Sequence, residues 1–203
     1  GREIVIETTI DRNSVRLILG DNQMIPLTSK HEVAILNTKG ILHSEGLRTL
    51  NYTYVKRDSL ENVSEYHTLI VPKGERQKVI FSDSSWVVLN AQSTMKYPVV
   101  FRGKERKVYV EGEAYFEVRK NEKLPFDVMT KELNVKVLGT KFNFRNYDED
   151  EEVTVNLLEG KVQLENYVKK MGINYLSPSE KVTLNKLTGE MIISRAEVKN
   201  AKE

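Results

Sequence analysis

Apolar and polar residues alternate without interruption in the stretch KVYVEGEAYFEV, which runs from Lys107 to Val118. Successive side chains of an extended chain point to opposite sides, so this order separates two faces. The apolar or small residues of one face are Val108, Val110, Gly112, Ala114, Phe116 and Val118. The other face carries Tyr109, Glu111, Glu113, Tyr115 and Glu117. Alternation over this length predicts a β-strand with one face in the core.

Short stretches of the same kind follow one another along the chain, separated by residues that favour turns. Such turns are expected at Gly20 to Asn22, Pro72 to Gly74 and Ser82 to Ser85, because Pro presets φ and Asp, Ser and Gly accept tight geometries. No segment shows a long apolar stripe at helical spacing, although Glu32 to Leu36 could form one short helix instead of strands. The sequence therefore predicts an all-β fold, either a sandwich, a barrel or a solenoid.

A polar stretch at residues 57–67, RDSLENVSEYH, predicts a loop that separates two parts of the chain. We expect residues 1–67 to form an N-terminal β layer and residues 68–197 to form the main β domain. In the main domain, the alternation identifies the core. The residues expected to be buried are Val108, Val110, Ala114, Phe116, Val118, Val135, Val137, Phe142 and Phe144.

Three similar pieces in the main domain are centred on glycine: VEGEAYFEV, VLGTKFNF and LEGKVQL. In the second piece the apolar phase changes at Gly139-Thr140, and in the third it changes at Glu159-Gly160. A change of phase turns the strand over, which a bulge or sharp bend produces. We therefore predict that the chain bends at these glycines from one sheet layer into another.

Composition excludes several classes of function. The 203 residues carry a net charge of +2, which argues against a dedicated nucleic-acid binder with a basic stripe. There is no cysteine, and so no disulfide, thiol catalysis or cysteine metal site. No apolar run approaches the length of a transmembrane helix, and the first residues lack the pattern of a signal peptide. Since the chain begins with Gly1, we expect anchoring or targeting segments to lie outside it.

The closely spaced glutamates raise the possibility of acid–base chemistry. Glu111 and Glu113 would lie roughly 7 Å apart on one strand face, given the rise per residue. This overlaps the spacing of about 6.5–9.5 Å between the carboxylates of inverting glycosidases. An exposed strand face whose carboxylates pair with Lys and Arg of adjacent strands, such as Arg102, Arg106 or Lys141, is the more common arrangement. Trp86 offers a sugar-stacking side chain, but a packed Trp is more common. We therefore predict that the protein is not an enzyme and keep a carbohydrate-active or glycan-binding protein as the alternative.

The remaining polar motifs do not indicate a metal or cofactor site. His31, His43 and His67 lack metal-ligand spacing and have no Ser or Cys elbow for a triad, so we expect surface or loop positions for them. The basic run at residues 102–107, RGKERK, has no aromatic or glycine-rich cradle for phosphate and predicts a solvated hairpin tip near Gly103. No catalytic residue, metal ligand or cofactor follows from the sequence.

Seven motifs in a particular order resemble the periplasmic region of FecR-family anti-sigma regulators, in the long form common in Bacteroidetes. They are VPKG at 71–74, the Asp83 turn leading to LNA at 89–91, YP at 97–98, GEAYFEV at 112–118, PF at 125–126, LGTKFN at 138–143 and LLEGKV at 157–162. The signature residues are Pro72, Gly74, Asp83, Leu89, Asn90, Gly112, Glu113, Ala114, Phe116, Val118, Gly139, Thr140, Phe142 and Gly160. The chain departs from the family at two turns, where Ser84 and Ser179 stand in place of the usual glycine.

The resemblance implies a structural role for these residues in a sandwich- or solenoid-like β domain without a cofactor. It also implies a membrane-spanning regulator whose periplasmic part receives a signal from a TonB-dependent outer-membrane transporter. The implied partners are the periplasmic signalling domain of that transporter and, through a cytoplasmic region outside this chain, an extracytoplasmic-function sigma factor. A transmembrane helix and a small C-terminal domain would also lie outside the chain, and nucleic acid is not an expected partner.

Overall fold

A computed structural model describes residues 12–28, 30–44, 46–56, 65–170 and 172–195. About half of the chain, 51%, lies in strands, so the predicted all-β fold is confirmed. The described elements are β1 (Arg16–Ile18), β2 (Met24–Pro26), α1 (Lys30–Thr38), β3 (Leu42–Ser44), β4 (Thr49–Asn51), β5 (Tyr66–Val71), β6 (Gln77–Ile80), β7 (Trp86–Leu89), β8 (Ser93–Pro98), β9 (Arg106–Val118), β10 (Phe126–Met129), β11 (Leu133–Val137), β12 (Thr140–Asn146), β13 (Glu152–Glu159), β14 (Val162–Asn166), β15 (Asn174–Leu176), β16 (Glu180–Asn185) and β17 (Met191–Arg195).

The strands form two sheets that share β9. The first sheet has the order β2-β1-β5-β8-β9-β10-β11-β14-β15, and the second has the order β3-β4-β6-β7-β9-β12-β13-β16-β17. Neighbours are antiparallel except for β4 with β6 and β9 with β10. The first half of β9 pairs within the first sheet, and the half from Gly112 to Val118 pairs within the second.

The predicted corners lie where the chain passes between the sheets. Gly139 stands between β11 of the first sheet and β12 of the second, and Gly160 stands between β13 and β14. Neither glycine has room for a side chain, because a Cβ at Gly139 would lie 2.6 Å from Lys120 Cα and one at Gly160 would lie 2.6 Å from Gly139 O. The phase changes in the sequence therefore mark close approaches of the backbone at the sheet corners.

The inner faces of the two sheets build one hydrophobic core. All nine residues that the alternation predicted to be buried are buried, which confirms the assignment of faces. Phe116 is fully buried and stacks on Phe142 with ring centroids 5.0 Å apart, and it meets Phe126 of the other sheet at 5.8 Å. Dispersion contacts between these rings join the two layers.

Helix α1 covers the end of the sandwich at which β2 and β3 form the sheet edges. Its one buried residue is Leu36, and the helix contacts both edge strands. β1 pairs with β5 and β4 pairs with β6, so the N-terminal layer contributes to the same two sheets as the rest. The division into residues 1–67 and 68–197 stays a prediction, and residues 57–64 of the expected loop lie outside the described residues.

Candidate functional site

Ten of the fourteen signature residues fall into two structural groups. Leu89, Ala114, Phe116, Val118 and Phe142 are buried in the core, while the glycines and Pro72 lie at turns or at close backbone approaches. At Ser84 and Ser179, where the family usually has glycine, φ is 72° and 71°. Both serines therefore keep the left-handed backbone that glycine adopts without strain. These two turns therefore have a backbone conformation that favours glycine, although serine occupies both positions.

Asp83 and Arg106 form a buried ion pair with a distance of 2.8 Å between Oδ2 and Nη1. The Arg106 side chain is 1% exposed and also donates hydrogen bonds to the carbonyl oxygens of Leu124, Arg119 and Leu138. Through these contacts the guanidinium connects the turn between β6 and β7 with both ends of the β9–β10 connection and with the corner at Gly139. The prediction that the whole 102–107 run is a solvated hairpin tip is wrong for Arg106, since it has the inward phase of Val108 and Val110.

Asp83 also shapes the turn that it belongs to. Its Oδ1 accepts a hydrogen bond from the Ser85 backbone N at 2.9 Å, and Ser85 Oγ accepts one from the Arg119 backbone N at 2.9 Å. This is the arrangement by which an Asp side chain stabilises a turn two residues ahead. Asp83 therefore holds Arg106 in place and, through Ser85, also fixes the end of β9 after Val118.

A second polar network surrounds Glu113 on the outer face of the second sheet. Asn90 Nδ2 donates to Glu113 Oε1, and Arg145 Nη1 lies 3.3 Å from Oε2. Arg145 also pairs with Asp150 at 3.0 Å, and its guanidinium lies 4.9 Å from the centre of the Tyr147 ring. Glu113 thus pairs with a cation of an adjacent strand, as expected. That cation is Arg145 and none of the three residues named as examples, because the β9–β12 register places Arg145 opposite Glu113.

These contacts do not favour the glycosidase alternative. Both oxygens of Glu113 are engaged by Asn90 and Arg145, whereas a general acid needs a desolvated carboxyl with a raised pKa. Glu111 is exposed and lines an open groove of about 440 Å³ together with Glu132 and Asp148. Lysines 96, 131 and 186 line the same groove, so its charges are mixed and none of its carboxylates is buried.

Trp86 is packed against neighbouring side chains on the outer face of the second sheet. Lys78 Nζ lies 4.3 Å from the centre of its ring, and the Tyr115 ring lies 5.5 Å away. One face of the indole is thus already occupied by a cation–π contact. This position gives no support to a role in sugar stacking.

The three histidines lie on three different elements, His31 on α1, His43 on β3 and His67 on β5. His31 is exposed on α1, whereas His67 is 1% exposed in β5, so the expectation of a surface or loop position is wrong for His67. Its Nδ1 lies 2.9 Å from Tyr52 Oη and its Nε2 lies 3.2 Å from Glu65 Oε1. The phase of β5, in which His67, Leu69 and Val71 face inward, was a signal in the sequence that could have identified this burial.

A second buried titratable group lies on the outer side of the first sheet. Asp127 in β10 is 1% exposed and accepts a hydrogen bond from Asn134 Nδ2 at 3.0 Å. Burial raises the pKa of the Asp127 carboxyl, against the opposing effects of Asn134 and of Lys136, whose Nζ is 3.9 Å away. Asp127 Oδ2 and Asn134 Oδ1 have no hydrogen-bond partner among the described residues. The part of the chain that the structure describes contains no group of three metal-ligating side chains.

The opposite end of the sandwich from α1 leaves apolar side chains exposed. The edge strands there are β15 and β17, and no strand in the described ranges pairs with their outer sides. Tyr175 in β15 is 51% exposed, while Ile192 and Ile193 in β17 are 60% and 45% exposed. Within the same described ranges, no helix is long and apolar enough to cross a membrane.

Comparisons with known proteins agree with this architecture. Residues 67–163 match the family described as FecR protein. Two crystal structures of a protein from Parabacteroides distasonis, described as a "putative anti-sigma factor", are 36% identical to the chain with TM-scores of 0.62 and 0.61. The similar regions cover 65% and 64% of this chain and 61% and 60% of the crystallised chains, so the chain spans less than two thirds of those proteins. No curated protein matches the chain significantly.

Proposed function

The chain belongs to the FecR family, and from this membership we propose that it is the signal-receiving part of an anti-sigma factor. The match of residues 67–163 carries this proposal. The similarity to the Parabacteroides distasonis protein supports it, because 36% identity extends over about two thirds of this chain. The buried signature residues support a structural role for the motif rather than a catalytic one.

The proposed location of this part is the periplasm, in a protein anchored in the inner membrane. Its proposed partners are the periplasmic signalling domain of a TonB-dependent transporter and, through a cytoplasmic region outside this chain, a sigma factor. Neither a cofactor nor catalysis is needed for such a relay, because the transmitted quantity is binding free energy between proteins.

The exposed edge strands β15 and β17 support a specific mode of contact with the transporter domain. An unpaired edge offers a row of backbone N–H and C=O groups to which a partner can add a strand. Natural proteins usually protect such edges with inward charges, prolines or a covering element. At this end the edge strands expose Tyr175, Ile192 and Ile193, although Arg195 also lies on β17 and Lys161 Nζ lies 4.4 Å from the centre of the Tyr175 ring. The apolar contact would add affinity to the main-chain hydrogen bonds.

Titration of the purified chain against the signalling domains of TonB-dependent transporters from its source organism tests this proposal. Binding to one of these domains is expected, and Ile192→Lys or Tyr175→Lys should weaken it about tenfold or more, since each places a charge in an apolar contact. Leu187→Lys is the matched control, because Leu187 is 89% exposed in the turn between β16 and β17 and lies on no strand edge. Binding that Leu187→Lys weakens as much as Ile192→Lys would exclude the edge, and no binding to any signalling domain would exclude the transporter as partner.

A further inference from the structure

Four buried or partly buried side chains form a continuous row of hydrogen bonds. The row connects the part of the N-terminal layer that precedes β5 with the residues that match the FecR family, 67–163, which we call the FecR region. Glu65 Oε1 contacts His67 Nε2 at 3.2 Å, and His67 Nδ1 contacts Tyr52 Oη at 2.9 Å. Tyr52 Oη in turn contacts Tyr97 Oη. Tyr52 follows β4 of the N-terminal layer, whereas His67 and Tyr97 lie in register on β5 and β8. The exposures of His67, Tyr52 and Tyr97 are 1%, 1% and 0%.

Because the Glu65 carboxylate can only accept, one order of protons satisfies these contacts when the imidazole is neutral. Nε2–H of His67 donates to the Glu65 carboxylate, and Nδ1 accepts the hydroxyl proton of Tyr52. The Tyr52 oxygen then accepts the hydroxyl proton of Tyr97. Every buried proton of these four side chains has an acceptor, which is the condition for a polar network to be stable inside a core.

Protonation of His67 removes this condition. Both ring nitrogens of a cationic imidazole are donors, so Nδ1–H must donate to the Tyr52 oxygen. Tyr52 must then turn its own proton towards Tyr97, and the Tyr97 proton is left over. The described residues supply no other hydrogen-bond partner for Tyr97 Oη, which is completely buried. An unpaired buried donor destabilises the closed arrangement.

The surroundings of the His67 imidazole shift its pKa in both directions. Burial lowers the pKa of His67 most strongly, and Lys39 after α1 lowers it further. Glu65 and Asp21, which lies in the β1–β2 turn, raise it but do not outweigh burial. Among the described residues, Tyr52 and Tyr97 also lie beside the ring. Burial raises the pKa of both hydroxyls, so they remain neutral near pH 7.

We propose that these four hydrogen-bonded side chains form an acid-sensitive joint, in which protonation of His67 releases the part of the N-terminal layer that precedes β5 from β5 and β8. The layer is held to the FecR region by the β1–β5 and β4–β6 pairings as well as by Tyr52. When the joint opens, His67 reaches water and takes up a proton at its ordinary pKa. Acid therefore favours the open form. A drop in pH would thus change the FecR region, because β5 and β6 would lose their contacts with Tyr52, β1 and β4. This inference does not depend on the identity of the transporter or sigma factor.

Amide hydrogen exchange of the wild-type chain at pH 7.5 and pH 5.5, corrected for intrinsic exchange, tests the proposal. With an ordinary histidine pKa of about 6.5 in the open form, the equilibrium constant for opening should be up to about tenfold larger at pH 5.5 than at pH 7.5. The increase is expected in β1, β4 and β5 but not in β12 or β13. An equal increase in all strands, or none in β1, β4 and β5, would overturn the proposal.

His67→Gln provides the decisive variant, because glutamine can still accept from Tyr52 but cannot be protonated in this range. It should remove the pH dependence of opening, whereas His31→Gln, at an exposed position on α1, should retain it. If His67→Gln does not fold, NMR titration of the wild-type imidazoles decides. Only three histidines are present, and a His67 resonance that titrates at or above the ordinary pKa would refute the joint.

Discussion

Loss of the Asp83 carboxylate should destabilise the protein, because Arg106, its ion-pair partner, is buried. Asp83→Asn preserves the size of the side chain but removes the only carboxylate paired with Arg106 among the described residues. The amide must also choose between two contacts. If its NH₂ faces Arg106, two donors meet, and if its oxygen does so, the Ser85 backbone N loses its acceptor.

The magnitude follows from burial. Removing one partner of a fully buried ion pair costs about 3–5 kcal/mol, because a charge is left uncompensated. The Asp83 side chain is 22% exposed and three carbonyl oxygens still contact the guanidinium, so the lower limit applies. We expect the free energy of unfolding to fall by about 3 kcal/mol and the midpoint temperature to fall by about 6–12 °C in a chain of this length.

Urea unfolding at pH 7, followed by the fluorescence of Trp86, measures this change, since Trp86 is the only tryptophan. Asp150→Asn is the matched control. It makes the same substitution in an Arg–Asp pair of 3.0 Å, but the partner Arg145 is 49% exposed. Its effect should stay below about 1 kcal/mol and disappear in high salt, whereas the Asp83 effect should persist. Equal losses in the two variants would refute the argument that burial of Arg106 sets the cost.

Two further substitutions test the geometry of the sheets. Gly112→Ala should cost about 3 kcal/mol or more in the same urea assay, because φ is +118° and a Cβ would lie 2.7 Å from Ser93 Cα. Gly74→Ala, with φ of +80° and no atom within 4 Å, should cost only about 1–2 kcal/mol, and equal costs would contradict the role of the close approach. Burial raises the pKa of Asp127, so the folded state keeps that proton to higher pH than the unfolded chain, and the stability contributed by this group falls as pH rises through its folded pKa. Asp127→Asn should therefore be more stable than the wild type at pH 7, with an advantage that shrinks towards pH 4, and an unfolding free energy below that of the wild type at pH 7 would disprove this.

Much of the architecture can be predicted from the sequence, because strand periodicity is a local property. The phase of Val108 to Val118 identified the buried face of β9, and the phase changes at Gly139 and Gly160 identified the points where the chain passes between the sheets. The same reasoning extends to Arg106 and His67, which share the phase of buried neighbours on their strands. Their polar character led to the wrong expectation of exposure, although the periodicity indicated burial.

The partners of these polar residues were decided only by the tertiary structure. Arg106 is satisfied by Asp83, Leu124, Arg119 and Leu138, which lie 13 to 32 residues away in the chain. Glu113 meets Arg145 because of the register between β9 and β12, and a shift of one residue would place a different side chain opposite it. The sequence by itself determined which face of each strand enters the core, since burial of apolar area depends on residue type and phase. Which cation meets which anion depends on long-range register and on the backbone carbonyls at the sheet corners, and no local pattern carries that information.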